Sequence, residues 1–233
     1  MSDLIDEFMS RHSRRAILME IGGFRPVDYL TSSWFGRINL GAVGESWPIY
    51  KGLPLQALAQ INLTELPFRP SGLDDIEFIA IFINSEQLPL PQNQNGSNWV
   101  LRAYPTVEGL IPLEKPDINS SIKPFPMKPK VVENDFPSID DIPFDIVEQI
   151  LAAQLTNQFR NVEGFKLGGW PTTIQSEIDW GNQAHLSYRP EYIFQIDSNE
   201  KGNWMWGDNG IGYFGRGTVD GFRDRWVLDW QCF

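Results

Sequence analysis

The stretches Ala59-Gln60-Ile61-Asn62 and Phe194-Gln195-Ile196-Asp197 decide the fold, because the second repeats the first. A glycine precedes each of them at a similar distance, 24 positions from Gly36 to Gln60 and 26 positions from Gly169 to Gln195. Motifs that recur in the same order at similar spacing indicate a diverged internal duplication. We therefore expect residues 1–233 to form a single domain whose two halves are related by a pseudo-twofold axis.

The elements around these motifs follow from periodicity and from turn signals. Apolar residues at three- and four-residue spacing, with acids before bases, predict an N-terminal helix. A second helix is predicted at 142–161 with Asp141 as its N-cap. The predicted layout is a helix at about 3–19, a first half at 24–104, a Pro-rich connection at 105–143 and a second half at 144–233.

Five apolar segments are predicted to be strands. The near-continuous run at 76–83 is typical of a strand covered on both faces, while Trp47 to Pro54 reads as a turn because two prolines exclude a central strand. Eight prolines in the connection predict an extended segment with short edge strands. The other predicted strands are 99–104, 192–196, 211–214 and 226–231. The fold class is therefore α+β, β-rich and internally duplicated, with about two main helices.

The charge limits the classes of partner that the protein can bind, and the cysteine content bears on its compartment. The chain has 19 basic and 30 acidic residues and a net charge of −11, which disfavours nucleic-acid binding and suits either solubility or a basic partner. Cys232 is the one cysteine, so no internal disulfide points to an oxidising compartment. Met1 to Met19 lacks a signal-peptide pattern and no apolar run has membrane-spanning length, so we expect a cytoplasmic protein without a membrane partner. The oligomeric state stays open.

Signatures of catalysis and metal binding are missing from the sequence. His12, His185 and Cys232 do not have zinc-ligand spacing. The segment 197–208 imitates part of a calcium loop but lacks its terminal glutamate, so turns between strands are the better interpretation. There is no nucleophile elbow, phosphate loop or dinucleotide fingerprint. We therefore expect no catalytic residue, no metal and no cofactor.

Two groups of residues are candidates for a site. Gln60, Asn62, Gln195 and Asp197 occupy equivalent places in the two halves, and with Asp208 they could form a polar pocket for a small molecule. The alternative, which we favour, is that they bond to the backbone at the strand ends, as buried amides usually must.

The second group is an acidic cluster without any Lys or Arg from 131 to 159. It predicts a docking face for a basic protein, since such charge speeds encounter and selects the partner. The alternative is a helix N-terminus with favourable carboxylates beside a solvated loop. The residues of this candidate face are Glu133, Asp135, Phe136, Asp140, Asp141, Asp145 and Glu148.

Several motifs together resemble the YwqG-like family, a bacterial domain of unknown function. They cover roughly residues 30–233 and include Trp47-Pro48, Ala59-Gln60-Ile61-Asn62, Lys166-Leu167-Gly168-Gly169-Trp170-Pro171 and Met205-Trp206-Gly207-Asp208. The chain departs from the family at Phe35-Gly36-Arg37-Ile38, where the second Gly and the Pro of the first Gly-Gly-x-Pro element are lost. The resemblance implies an α+β duplicated fold and no established reaction.

Some members of that family look like immunity proteins of antibacterial toxin systems. The resemblance, the acidity and the missing catalytic signatures together predict a cytoplasmic, non-enzymatic immunity protein. It would bind and neutralise a cognate toxin with a basic surface, a nuclease being one candidate. The alternative is a small-molecule-binding protein or an enzyme of unknown activity in the same family.

Overall fold

Strands dominate the structure, a computed structural model that describes residues 3–175, 177–181 and 187–233. Two α-helices, α1 (Asp3–His12) and α2 (Phe144–Ala152), lie within these residues. The strands are β1 (Arg14–Ile21), β2 (Trp34–Phe35), β3 (Leu40–Gly41), β4 (Ile49–Tyr50), β5 (Leu53–Pro54), β6 (Gln56–Asn62), β7 (Phe78–Ile83), β8 (Trp99–Tyr104), β9 (Ile111–Pro112), β10 (Phe125–Asp135), β11 (Lys166–Gly168), β12 (Pro190–Asp197), β13 (Ile211–Gly217) and β14 (Trp226–Gln231). The α+β, β-rich class is confirmed.

Ten of these strands form one sheet whose order displays the internal duplication. The order is β14-β13-β12-β11-β1-β10-β2-β6-β7-β8, and every neighbouring pair is antiparallel. The first half contributes the meander β2-β6-β7-β8, and the second half contributes the matching meander β11-β12-β13-β14. The sheet is therefore pseudo-symmetric about the central pair of β1 and β10.

The sheet curls so that its inner face collects side chains from both halves into one core. The rings of Trp99 in β8 and Phe214 in β13 lie 6.2 Å apart, which joins strands from near opposite ends of the sheet. In β7, Ile79, Ile81 and Ile83 enter this shared core, whereas the alternate residues pack into a second core on the outer face. Burial of both faces explains the continuous apolar run that predicted this strand.

A third core lies beneath the helices. Phe8 of α1 packs with Ile146 and Ile150 of α2, and the cluster is completed by Phe136 and Phe159. Because α2 buries only this stripe, its opposite side is left to solvent.

The N-terminal helix is shorter than predicted. It ends at His12, and residues 14–19, the last part of the predicted helix at 3–19, belong to β1 at the centre of the sheet. β1 pairs with β10 on one side and β11 on the other, burying Ala16, Ile17 and Met19. Two ladders of hydrogen bonds and the burial of these side chains outweigh the local helical pattern.

The second helix is also shorter than the predicted 142–161. Its N-cap residue is Pro143, whereas Asp141 lies in the preceding 3₁₀ turn, Ile139–Asp141, and does not cap α2. The chain turns at Gln154, which has a positive φ of 55°.

The predicted short edge strands in the connection 105–143 are wrong in one major respect. The 11-residue strand β10 lies in the middle of the sheet, between β1 and β2. Pro129 does not break the ladder. Met127 donates to the Ser33 carbonyl, so the nitrogen of Pro129, two residues on, faces the same side of the strand, beyond the end of the short β2. By contrast, the predicted turn at Trp47 to Pro54 is present as the small β4–β5 hairpin outside the large sheet.

Candidate functional site

The duplicated glutamines Gln60 and Gln195 have the same structural role in each half. Gln60 Oε1 accepts a hydrogen bond from the backbone N–H of Asn39 at 2.7 Å, and Gln195 Oε1 accepts one from Thr172 at 2.8 Å. Asn39 and Thr172 each stand three residues after their half's glycine, Gly36 or Gly169. Both glutamines are fully buried and hold the loop after the glycine against the sheet.

The other predicted pocket residues do not join them in a common site. Asn62 caps the 3₁₀ turn Leu63–Glu65, its Oδ1 accepting from the Thr64 N–H at 3.0 Å. Asp197 accepts from the Gly164 N–H at 2.6 Å and from Gln195 Nε2 at 2.9 Å. Asp208 is exposed in a turn. Among the described residues no hydrogen bond links the pair in the first half to the pair in the second, so the backbone-bonding interpretation fits the structure.

Two residues of the acidic cluster are inside the protein. Asp135 and Lys166 form an ion pair of 3.0 Å in which both side chains are 0% exposed. The Asp135 carboxylate also accepts from the Val162 N–H at 2.8 Å and the Trp170 N–H at 2.7 Å. Burial lowers the pKa of Lys166, and the charge of Asp135 opposes this effect. Asp135 and the equally buried Phe136 are therefore unavailable to a docking partner, contrary to the prediction.

The exposed remainder of the cluster forms a surface that we call the α2 face. It combines carboxylates with apolar side chains: Phe144 is 75% exposed, Leu151 55% and Ile139 42%. Glu133 lies apart on β10, where it pairs with Arg15 at 2.9 Å. The α2 face consists of Ile139, Asp140, Asp141, Phe144, Asp145, Glu148 and Leu151.

A cavity of about 570 Å³, the aromatic pocket, opens beside the α2 face. Trp170 Nε1 donates to the His12 carbonyl at 2.7 Å, and Thr173 Oγ1 donates to Asp141 Oδ2 at 2.9 Å, so two of its walls are held in place. No Lys or Arg is among the described residues that line it, although Arg14 packs on the ring of Trp170 from outside the pocket. The lining is Phe8, His12, Pro137, Asp141, Pro143, Trp170, Pro171, Thr173, Glu177, Ile178, Trp180 and Tyr192.

Aromatic rings and carboxylates in one cavity favour a cation. The faces of Trp and Tyr rings attract ammonium and guanidinium groups, and nearby carboxylates strengthen the attraction. The pocket includes Asp141 of the predicted cluster, whereas Trp170, Trp180 and Tyr192 come from separate segments and could not be grouped from the sequence.

A larger cavity of about 640 Å³, the arginine cavity, lies where the two halves meet. Its walls combine the loop at 68–74, the start of β1, the Gly168-Gly169 turn and strands β12 and β13. Five arginines line it, although the chain is acidic overall. The lining is Arg14, Arg15, Phe68, Arg69, Pro70, Ser71, Gly72, Asp74, Gly168, Gly169, Glu191, Tyr192, Ile193, Arg216, Gly217, Thr218 and Arg223.

Two of these arginines form ion pairs within the protein. Arg216 makes a bidentate ion pair with Asp75, at 2.6 and 2.8 Å, and donates to the Gly72 carbonyl. This contact lowers the pKa of Asp75 and ties β13 to the first half. Arg15 pairs with Glu133 at the rim.

The other three arginines have donors to spare. The guanidinium carbon of Arg14 lies 3.5 Å from the centroid of the Trp170 ring. Within the described residues, neither Arg14 nor the exposed Arg223 donates a side-chain hydrogen bond or forms an ion pair, and Arg69 donates to the Ile76 carbonyl through Nη1. This cavity could not be predicted from the sequence, because its arginines come from three distant segments, 14–15, 69 and 216–223. The only local signal was the Gly168-Gly169 motif in its wall.

Other elements of site chemistry are sparse in the described ranges. There, no three His, Cys, Asp or Glu side chains are grouped so as to hold a metal ion, and His185 lies outside these ranges. Neither α1 nor α2, nor any other helix within them, has the length and apolar character needed to cross a bilayer.

Comparison with curated proteins gave no match. Residues 39–220 do match a family described as a domain of unknown function, DUF1963. The match includes both glutamine motifs and most of both meanders. Since it covers well over half of the chain, the chain belongs to the DUF1963 family.

Proposed function

We propose that the protein is a binding protein that inhibits a basic protein partner through the α2 face and the aromatic pocket. The observation that carries the proposal is their adjacency: a cation-attracting cavity opens next to a helix that exposes Phe144 among carboxylates. Asp141 belongs to both surfaces.

Each part has a separate role in docking. The carboxylates of the α2 face steer a positively charged protein toward the surface and raise its association rate. Phe144 supplies the aromatic anchor that interface hot spots favour. The aromatic pocket takes a Lys or Arg side chain of the partner against Trp180 and Tyr192, since the ring of Trp170 already carries Arg14. A specific complex of this kind buries on the order of 800 Å² on each protein.

The kind of partner follows from the YwqG-like resemblance. Some members of that family look like immunity proteins, so the partner we propose is a cognate antibacterial toxin with a basic surface, such as a nuclease, met in the cytoplasm. Binding alone suffices for this function, because covering or distorting the active site of the toxin neutralises it. The protein therefore acts as a stoichiometric inhibitor and not as an enzyme.

The primary test is co-expression with a toxin candidate sought among the genes next to the one for this protein. Cells are expected to survive with the wild-type protein and to die with Phe144→Ala if the α2 face makes the contact. Purified proteins should show about 10- to 100-fold weaker binding for Phe144→Ala, as for a hot-spot residue. Val43→Ala is the matched control, since Val43 is 77% exposed on another part of the chain.

Charge reversal on the α2 face distinguishes electrostatic attraction of the partner from packing against it. Asp145→Lys should slow association and weaken its dependence on salt, whereas Glu108→Lys changes the net charge equally at an exposed site outside the α2 face. Failure of the toxin candidate to bind the wild-type protein would refute the immunity function. Binding that is unaffected by Phe144→Ala and Asp145→Lys would refute this surface.

A further inference from the structure

We propose that the arginine cavity binds a phosphate monoester of a small organic molecule. Five of the twelve arginines of the chain and none of its seven lysines are among the described residues that line it. Lysine would supply positive charge equally well, whereas arginine adds a planar fork that grips phosphate oxygens in pairs. The use of arginine instead of lysine therefore indicates that the cavity recognises an oxyanion and is not simply positively charged.

The free donors are positioned before any ligand arrives. Arg14 is held flat against Trp170, which is itself fixed by its hydrogen bond to the His12 carbonyl. Arg69 is anchored by its bond to the Ile76 carbonyl, which leaves its other N–H groups for the cavity. Prepositioned donors lose less side-chain entropy on binding, so they give more affinity for each contact.

The electrostatics of Arg14 point the same way. Partial burial lowers the pKa of Arg14, against the charges of Glu191 and Asp135, although the residue as a whole is exposed to solvent. A dianionic phosphate in the cavity would compensate the charge of Arg14 and would also neutralise Arg223.

The rest of the cavity favours an organic body on the phosphate. Its volume of about 640 Å³ far exceeds one phosphate group and lies within the range of metabolite pockets. Phe68 and Ile193 provide an apolar wall, while Asp74 and Glu191 accept hydrogen bonds from hydroxyl or amino groups of the ligand. This proposal does not depend on the docking proposed for the α2 face, although Tyr192 lines both cavities.

The test measures the melting temperature and the binding heat of the full chain with four probes at equal ionic strength: inorganic phosphate, adenosine monophosphate, adenosine and citrate. Adenosine monophosphate is expected to raise the melting temperature and to bind more tightly than phosphate, while adenosine and citrate have no effect. Arg14→Gln and Arg223→Gln should each weaken binding about 10-fold or more. The control is Arg11→Gln, because Arg11 pairs with Glu7 on the exposed side of α1.

Arg223 is exposed, so its variant keeps the test valid even if Arg14→Gln fails to fold. A melting temperature unchanged by phosphate and by adenosine monophosphate would overturn the proposal. So would equal binding by Arg11→Gln and Arg223→Gln, or a response to citrate alone.

Discussion

Neutralising Asp135 should be among the most damaging single changes in the chain. In Asp135→Asn, Lys166 keeps its position in the core but loses the carboxylate 3.0 Å away, and its ammonium group remains 0% exposed. Removing one partner of a buried ion pair typically costs about 3–5 kcal/mol, because the remaining charge is left without water or a counterion. One of the N–H groups of Val162 and Trp170 also faces an amide NH₂ instead of an oxygen.

The neighbouring pair Arg15–Glu133 is the natural control. Glu133 lies two residues earlier on the same strand, and the two side chains of this pair are 51% and 65% exposed. Exposed pairs contribute about 0–1 kcal/mol, so Glu133→Gln should be nearly silent. Urea denaturation gives the difference directly. In thermal melts, about 3–5 kcal/mol corresponds to a fall of about 6–20 °C for a protein of this size.

The double variant Asp135→Asn/Lys166→Met tests the cause. It removes the stranded charge and keeps one amide oxygen as an acceptor, so it should be more stable than Asp135→Asn alone. The pH dependence provides a second check. Because the folded pKa of Lys166 lies below its unfolded value, the unfolded chain binds more protons in that interval, and stability from this group rises with pH there. Equal losses in Asp135→Asn and Glu133→Gln, or no recovery in the double variant, would refute the reasoning.

Two further predictions concern the paired loops. Burial raises the pKa of Asp197 to about 7, so its contribution to stability is complete below about pH 4 and is lost as the pH rises through 7, at about 1.4 kcal/mol per pH unit. Burial also raises the pKa of Asp229 to about 6, so denaturation from pH 6 to 7 should show this slope in the wild type and in Asp208→Asn but not in Asp197→Asn; a slope retained there in Asp197→Asn would contradict the assignment. Gly36→Ala should lower the melting temperature more than Gly44→Ala: both glycines have positive φ, but a Cβ at Gly36 would stand 2.5 Å from the Lys123 carbonyl oxygen, while one at Gly44 meets nothing within 4 Å. Similar melting temperatures for these two alanine variants would contradict this prediction, because they would show that the backbone around Gly36 can move to accommodate a Cβ.

The elements that were predicted well from the sequence are those whose structure is determined by a local residue pattern. β8 has the predicted bounds. β7 lies within the predicted 76–83, because burial on both of its faces leaves an uninterrupted apolar run. The duplication was visible because Gln60 and Gln195 must remain amides to hold equivalent loops. The strands β1 and β10 were not predicted because each is stabilised mainly by pairing with the other. Pairing between segments more than a hundred residues apart leaves no local sequence pattern.

The candidate site shows the same division. Asp135 and Asp145 look alike in sequence, but Asp135 is buried because Lys166 arrives beside it from 31 residues away. The exposed acids and Asp141 could be predicted, since they continue a run without basic residues. The arginine cavity could not, because residues 14, 69, 216 and 223 meet only after the sheet has formed.

The duplication also explains why the chemistry is concentrated in the second half. The position three residues before the duplicated glycine is Ser33 in the first half and Lys166 in the second; Ser33 simply accepts from the Asn62 N–H at 2.9 Å. The position after the glycine is Arg37 in the first half and Trp170 in the second. Trp170 is held by Asp135 at its N–H and by the His12 carbonyl at its indole; its ring lines the aromatic pocket and carries Arg14, which lines the arginine cavity. The symmetric scaffold therefore supplies rigid loops, and divergence at two positions of one loop fixes a tryptophan that lines one proposed site and packs against an arginine of the other.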